Sequence, residues 1–284
     1  MGRRLGQHFL RPASVERLLR LIDPRPEETF LEIGPGRGAL TLPLAERAGC
    51  VVAVELDARL AAELQERASA AGFTPAKRAG GLGGAPLAPP SSMTTALPRL
   101  TVVTGDALEA DLAALVPRGS RLVGNLPYYV SSPLLRRFLD LRAHLIDAHV
   151  MLQEEVARRV ASPPGSREYG ILSVLFAAWA DVDVPLLFPP SAFSPPPRVS
   201  SAVLRVRFLP RPRVEIDDVD AFETLVKRAF ARRRRTLENN LRDSYANLKE
   251  NLRLLNIEGS RRAETLSVVD FAKLSRTLRR AMPA

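Results

Sequence analysis

From Thr29 onward the chain alternates short apolar runs with amphipathic stretches, and no other feature narrows its possible folds as far. Thr29–Ile33 (TFLEI) reads as a strand, followed by a glycine-rich turn and a helix over about Ala39–Ala48. Val51–Glu55 (VVAVE) reads as a second strand, with a helix from about Ala58 to Ala70. A third strand is read at Leu100–Val103, a fourth at Arg121–Gly124 and a fifth at Ala148–Leu152. Helices follow the last two at Pro133–Leu141 and Glu154–Ala161. Parallel strands cannot be joined by tight turns, so each connection crosses a face of the sheet as a helix. The pattern therefore predicts an α/β domain, a mostly parallel sheet with helices on both faces. Ligands of such sheets bind beyond the carboxyl ends of the strands, which directs attention to the residues that follow each strand.

Two stretches interrupt the pattern. Thr74–Arg99 holds five prolines, four glycines and five alanines, with no acid and no aromatic, and is expected to be a surface loop. Phe188–Pro197 (FPPSAFSPPP) is too proline-rich for a helix or a central strand and leads into a strand at Ala202–Phe208. Beyond Pro210-Arg211-Pro212 the strand signal stops, and residues 220–235, 238–255 and 268–280 show helical spacing. This places a boundary near residue 211, between a main domain of residues 1–211 and a small all-helical C-terminal domain of residues 212–284. A single cysteine, Cys50, excludes an internal disulfide and any multi-thiolate metal site, and three histidines exclude a His-rich one. No apolar run approaches the roughly 20 residues of a membrane span, and no apolar core follows Met1-Gly2-Arg3-Arg4. An intracellular, cytoplasmic protein with no bound metal and no membrane partner is expected. With 41 Lys+Arg against 31 Asp+Glu the net charge is +10, which favours a polyanionic partner without separating nucleic acid from a membrane surface.

The strand ends carry the chemistry. Glu32-Ile33-Gly34-Pro35-Gly36-Arg37-Gly38 lies between the first strand and its helix, where glycines let the backbone turn tightly and a ligand lie against it. Its G-x-G-x-G spacing differs from the G-x-G-x-x-G of dinucleotide binders, and Pro35 removes an amide that a pyrophosphate would use. Glu55 ends the second strand, 21 residues after Gly34, where a carboxylate can accept both hydroxyls of a ribose. Asp106, after the third strand, can accept from an adenine amino group. Either acid read alone is equally a helix cap or a solvated loop residue. Taken with the glycine turn they describe a pocket for an adenosine-containing cofactor. The fourth strand runs into Asn125-Leu126-Pro127-Tyr128. Methylating an exocyclic adenine nitrogen requires acceptors for its two hydrogens, because the lone pair is delocalised into the ring. The amide oxygen of Asn125 and a backbone carbonyl fixed by Pro127 are such acceptors, and Tyr128 offers a face for the base. The plainer reading is an Asx turn beside a core tyrosine. The next residue, Tyr129, is read equally as a second wall of the site or as packing.

These segments resemble the small-subunit ribosomal RNA adenine N6,N6-dimethyltransferases, which depend on S-adenosylmethionine and have a Rossmann-like class I methyltransferase fold. The likeness is carried by Gly6–Leu10 (GQHFL), LEIGPGRGALT, VVAVELD, TGDAL, GNLPYYVSSPLL, FPPSAFSPPPRVSSAV and RRRRTLENNL, in that order along the chain. It implies that His8, Leu10, Glu32, Gly34, Gly36, Glu55, Asp106, Ala107 and Asn125 surround the cofactor. It further implies that Asn125, Leu126, Pro127 and Tyr128 hold the target adenine, with Phe193 packed on its other face. The implied reaction is dimethylation of two adjacent adenosines in the 3′-terminal hairpin of small-subunit rRNA, on an immature small-subunit particle, by a monomer. Phe193 read without the family is an aromatic in a stiff proline loop. The run Arg232, Arg233, Arg234 and Arg235 is the densest cation cluster, read either as a solvated helix end or as a contact for rRNA phosphates. Residues 212–284 carry 16 Lys+Arg and 11 Asp+Glu, half of the net charge, so the C-terminal domain is expected to share RNA binding rather than own it. The Thr74–Arg99 stretch is longer than the family's usual connection. Two alternatives remain: a large-subunit rRNA adenine methyltransferase of the resistance type, and a non-enzymatic assembly or transcription factor that keeps the fold.

Overall fold

A computed structural model describes residues 8–74 and 99–280. The expected Thr74–Arg99 loop lies, but for its two ends, outside the described residues, as do Arg3, Arg4, Gly6 and Gln7. The chain divides into two compact units. One comprises the residues up to Ala157 together with Asp183–Phe208; the other comprises Arg158–Val182 and the residues from Leu209 onward.

The first unit is built on a seven-stranded sheet. Strands β2 (Thr29–Ile33), β3 (Cys50–Glu55), β4 (Arg99–Thr104), β5 (Ser120–Asn125) and β6 (Leu145–Gln153) form its parallel part, in the order β4-β3-β2-β5-β6. Strand β9 (Ser201–Phe208) joins β6 antiparallel, and β7 (Ala180–Phe188) completes the order beyond it. Pro185 in β7 is tolerated because an edge strand has one side free of ladder bonds. A separate two-stranded ribbon pairs β1 (Phe9–Leu10) antiparallel with β8 (Phe193–Ser194).

Burial on both faces explains the near-continuous apolar strands. On one face Phe30, Val51, Ala53, Val123, Met151 and Val203 pack with α1 (Pro12–Ile22) and α2 (Thr41–Ala45). The alternate strand residues Leu31, Val52, Val54, Leu122 and Val150 are buried on the other face. Helix α1 buries Val15, Leu18, Leu19 and Ile22, a stripe at helical spacing, and starts on Pro12, whose missing N–H costs nothing in a first turn. Helix α3 (Ala58–Ala70) is capped by Asp57, which accepts from Arg59 N at 2.9 Å and Leu60 N at 3.3 Å. Helix α4 (Ser131–Asp140) follows the Asn-Leu-Pro-Tyr segment and buries Leu134, Leu135, Phe138 and Leu139, and the short α5 (Glu154–Val160) follows β6.

In the second unit α6 (Ile171–Trp179) packs with α7 (Val219–Ala229) and α10 (Val268–Arg280). Phe230 lies 5.9 Å from Phe271 and 6.2 Å from Tyr169, centroid to centroid. Helices α8 (Leu237–Leu241) and α9 (Leu248–Leu254) complete it. Composition marks one crossing between units, near residue 211, whereas Arg158–Val182 also groups with the second unit. That excursion is hidden in the sequence because α6 is apolar and reads like one more helix flanking the sheet. Among the described residues no helix is long and apolar enough to cross a membrane.

One buried polar network interrupts the first unit's core. Arg121 of β5 donates to Asp147 (2.9 and 2.8 Å), to Glu28 (2.9 Å) and to the Ile22 carbonyl (2.8 Å), and stacks over Phe30. His149, one pleat along β6 from Asp147, is buried, and its removal from water pushes its pKa down to about 4. Burying ions is expensive, so the network is stable only while every charge keeps its partner. Arg121→Ala is therefore expected to lower the unfolding free energy by about 3–5 kcal/mol in urea titration. A loss below about 1 kcal/mol would show that Glu28 and Asp147 are relieved by water.

Candidate active site

The carboxyl ends of β2, β3, β4 and β5 open into one pocket of about 250 Å³, contained in the first unit. Its wall brings together every residue that the sequence assigned to the cofactor, from His8 and Leu10 through the glycine turn to Glu55, Asp106, Ala107 and Asn125. Gly34 and Gly36 take φ of +70° and +55°, a conformation that side chains resist. A Cβ on Gly36 would also sit 3.1 Å from the Phe9 ring.

Glu55 is buried and fixed from both sides. Its Oε2 accepts from Gly36 N at 2.9 Å and its Oε1 from Asp57 N at 2.9 Å. A carboxylate has about four lone-pair sites, so each oxygen keeps capacity for a ligand hydroxyl. Asp106 holds its own turn, its Oδ1 accepting from Leu108 N at 2.8 Å, and also lines the pocket.

Glu32 is the unusual group. It is 2% exposed, lines the pocket, and its Oε2 is buried without a hydrogen-bond partner. Burial pushes its pKa up to about 8; the Thr41 hydroxyl opposes the shift and the Glu55 charge adds to it. A buried acid with one unpartnered oxygen, beside a glycine cradle and a second carboxylate, suits a ligand that brings positive charge.

The Asn125 side chain is oriented by the N-terminal ribbon. Its Nδ2 donates to the His8 carbonyl at 2.9 Å, which settles which end of the amide faces elsewhere and leaves Oδ1 as an acceptor. His8 is itself held by its ring, Nδ1 lying 2.8 Å from the Pro195 carbonyl. A carbonyl only accepts, so this ring nitrogen carries the hydrogen. Leu126 N donates to Met151 O at 2.9 Å, and Tyr128 begins a single 3₁₀ turn after Pro127. The His8 and Tyr128 rings face each other at 6.0 Å with planes 25° apart.

Phe193 departs from expectation. Its ring is 1% exposed, packs edge-on against Phe188 at 6.5 Å and does not line the pocket. Phe193 pairs with Leu10 in the two-stranded ribbon, and its ring is taken up by the core cluster around Phe188. Tyr129 does line the pocket and is 60% exposed, which favours the wall over packing. Leu56, another wall residue, escaped the sequence reading; its only signal was its position directly after Glu55.

The arginine run departs from expectation in its setting. In the second unit Arg232, Arg233, Arg234 and Arg235 occupy the turns between α7 and α8, not a helix end, and all four are exposed. Helix α7 stops at Ala229, and Thr236 caps α8 by accepting from Asn239 N at 3.3 Å, so the four arginines fall between the two helices. Asn240 ties their loop from behind, its Nδ2 donating to Ala229 O at 2.8 Å and Arg232 O at 3.2 Å.

A parallel sheet with a glycine turn after one strand, a carboxylate ending the next and Asn-Leu-Pro-Tyr after a third, all on one pocket, defines a Rossmann-like class I methyltransferase domain. Residues 2–75 and 87–280 match the model of the ribosomal RNA adenine dimethylase family, the break falling inside the long Thr74–Arg99 stretch. A ribosomal RNA small subunit methyltransferase A from Geobacter metallireducens is 41% identical over 284 residues, 96% of this chain and 94% of that protein. Its namesake from Xylella fastidiosa is 38% identical over 274 residues, 95% of this chain and 93% of the other. The crystal structure of a dimethyladenosine transferase from Plasmodium falciparum shares the fold with a TM-score of 0.72, at 23% identity, over 94% of this chain and 96% of that one. With the match running nearly end to end, the chain belongs to the ribosomal RNA adenine dimethylase family.

The raised Glu32 value has a consequence for the ligand-free protein. Between its ordinary value of 4.5 and about 8 the folded chain keeps a proton that the unfolded chain has released. Stability from this group is thus complete below about 4.5 and drains away as pH rises through about 8. Relative to wild type, Glu32→Gln should gain more than about 3 °C in melting temperature between pH 5 and pH 9. An equal gap at the two pH values would show Glu32 ionised throughout.

Proposed function

We propose that this protein transfers methyl groups from S-adenosylmethionine to N6 of two adjacent adenosines in the 3′-terminal hairpin of small-subunit rRNA, in the cytoplasm, on an immature small-subunit particle. The observation that carries the reading is the Asn125 side chain, whose Nδ2 donates to His8 O while its oxygen is left as an acceptor. The cofactor, when bound, supplies a methyl group activated by a sulfonium. Glu55 would take its ribose hydroxyls, Asp106 and Ala107 its adenine, and Glu32 with the turn at Gly34 and Gly36 its charged amino-acid end. The orphaned Glu32 oxygen fits this assignment, since an ammonium group satisfies it and favours its ionised form.

The remaining work falls to the chain's own groups. Asn125 Oδ1 and the Leu126 carbonyl accept the two N6 hydrogens and draw the lone pair out of conjugation with the ring. Pro127 restricts Leu126 to extended geometry and so fixes that carbonyl. Tyr128 gives the base a surface to stack on. No strong base is needed, because the nitrogen becomes acidic once it carries the new methyl group. The adenine must leave its stack to reach this pocket, at a cost of a few kcal/mol that a hairpin loop lowers. Exposed Arg232, Arg233, Arg234 and Arg235, in a loop pinned by Asn240, meet rRNA phosphates.

Radiolabelled methyl transfer to purified small and large ribosomal subunits, followed by mapping of the product, tests the reading. Label confined to two neighbouring adenines of small-subunit rRNA is expected; label in large-subunit rRNA would overturn it. Asn125→Ala should lower turnover by about 10²–10³-fold with RNA affinity little changed, since an acceptor of reacting hydrogens is lost and no phosphate contact is. Unchanged turnover would remove Asn125 from the mechanism. Replacing all four arginines of the 232–235 run with Ser should flatten the salt dependence of RNA binding, by about 0.7–0.9 in log–log slope per lost phosphate contact. An unaltered slope would leave these arginines without a role in binding.

A further inference from the structure

The Phe188–Val203 motif resembles its family closely, yet its aromatic, Phe193, is turned into the core. What the motif does bring to the site lies at its far end. The Tyr128 hydroxyl meets Ser201 Oγ at 2.7 Å. Ser201 opens β9, is 0% exposed and sits in register opposite Gln153 of β6, while Ser200 O accepts from Glu154 N at 3.0 Å. The serine is therefore a fixed point on the sheet.

Tyr128 needs such a point. Its backbone belongs to a single 3₁₀ turn, held by Ser131 Oγ on its carbonyl at 3.0 Å and by Val130 N on Pro127 O at 3.2 Å. Those bonds fix the peptide, while the ring turns on two side-chain torsions with the His8 ring facing it at 6.0 Å. Its phenol end reaches a rigid strand through Ser201. We propose that Ser201 is a positioning residue of the methyl transfer, its hydroxyl setting the plane of the Tyr128 ring against which the target adenine stacks. The proposal rests on Tyr128 being the platform for the base. Ser201 touches neither base nor cofactor; it acts through the ring, keeping N6 in line with its acceptors when the base arrives.

A double-mutant cycle on small-subunit rRNA tests this. Ser201→Ala and Tyr128→Phe break the same hydrogen bond from opposite ends, so each should lower kcat about tenfold with KM for the cofactor unchanged. The double variant should be no worse than either single one, and Ser201→Thr, which restores a hydroxyl, should recover most of the loss. Calorimetric binding of the cofactor at wild-type affinity certifies each fold. Tyr128→Phe, altered on the pocket side, carries the test alone if a change at the buried Ser201 prevents folding. Losses that multiply in the double variant, or wild-type kcat in Tyr128→Phe, would overturn the proposal. Tyr128→Ala separates the two levels. If it is inactive while Ser201→Ala is normal, only the positioning role fails; if it turns over normally, the platform fails and the proposal with it.

Discussion

The hydrogen bond from Asn125 Nδ2 to the His8 carbonyl governs the rest of the site. A side-chain amide is nearly symmetric in shape, so a pocket cannot choose between its oxygen and nitrogen by packing. A partner that can only accept makes the choice electrostatic and permanent. That partner exists because β1 pairs with β8, joining residues near position 9 to residues near 194, and because the His8 ring is held on Pro195 O. The first described residues thus orient the proposed acceptor.

Around this acceptor the pocket is arranged by charge. Glu55 is fixed by two backbone amides, and Glu32, with one oxygen unsatisfied, is held close to neutrality by burial. Two carboxyls near one another in a poorly solvated pocket cannot both be charged cheaply. A cationic ligand reverses that balance, so the charge of the pocket favours one. The buried Arg121 network contrasts with it: there each ion already has its counter-ion, and the outcome is stability rather than readiness.

Much of the first unit was legible because strand and helix periods are local. Thr29–Ile33 and Ala58–Ala70 have the bounds that periodicity predicts, and the other parallel strands differ from expectation by one to three residues. Helix α2 is shorter than predicted at both ends, because one turn persists through Leu40 and another begins at Glu46. Strand β7 went unread because Pro185 and alternating acids disguise an edge strand. Phe193 was placed at the base and Ser201 went unread for a shared reason: their settings depend on pairing with Leu10 and with β6, more than a hundred residues and nearly fifty residues away respectively, and no local pattern encodes that. In the second unit the helical spacing read through residue 235 overruns α7, because Arg233 and Arg234 sit in a turn that Asn240 fastens from the following helix. Likewise the helix expected across residues 238–255 is broken at Asn247, which takes φ of +55° before α9, a tertiary adjustment that asparagine accommodates and propensity does not foretell.

In the proposed reaction Asn125 presents oxygen, not nitrogen, to the substrate amine. A neutron crystal structure with the demethylated cofactor and adenosine measures this directly, because deuterium positions distinguish the two ends of the amide. The predicted result is deuterium on Nδ2 directed at the His8 carbonyl, with the adenine N6 within about 3 Å of Oδ1. An amide turned the other way, its deuterium atoms facing the adenine, would contradict the account.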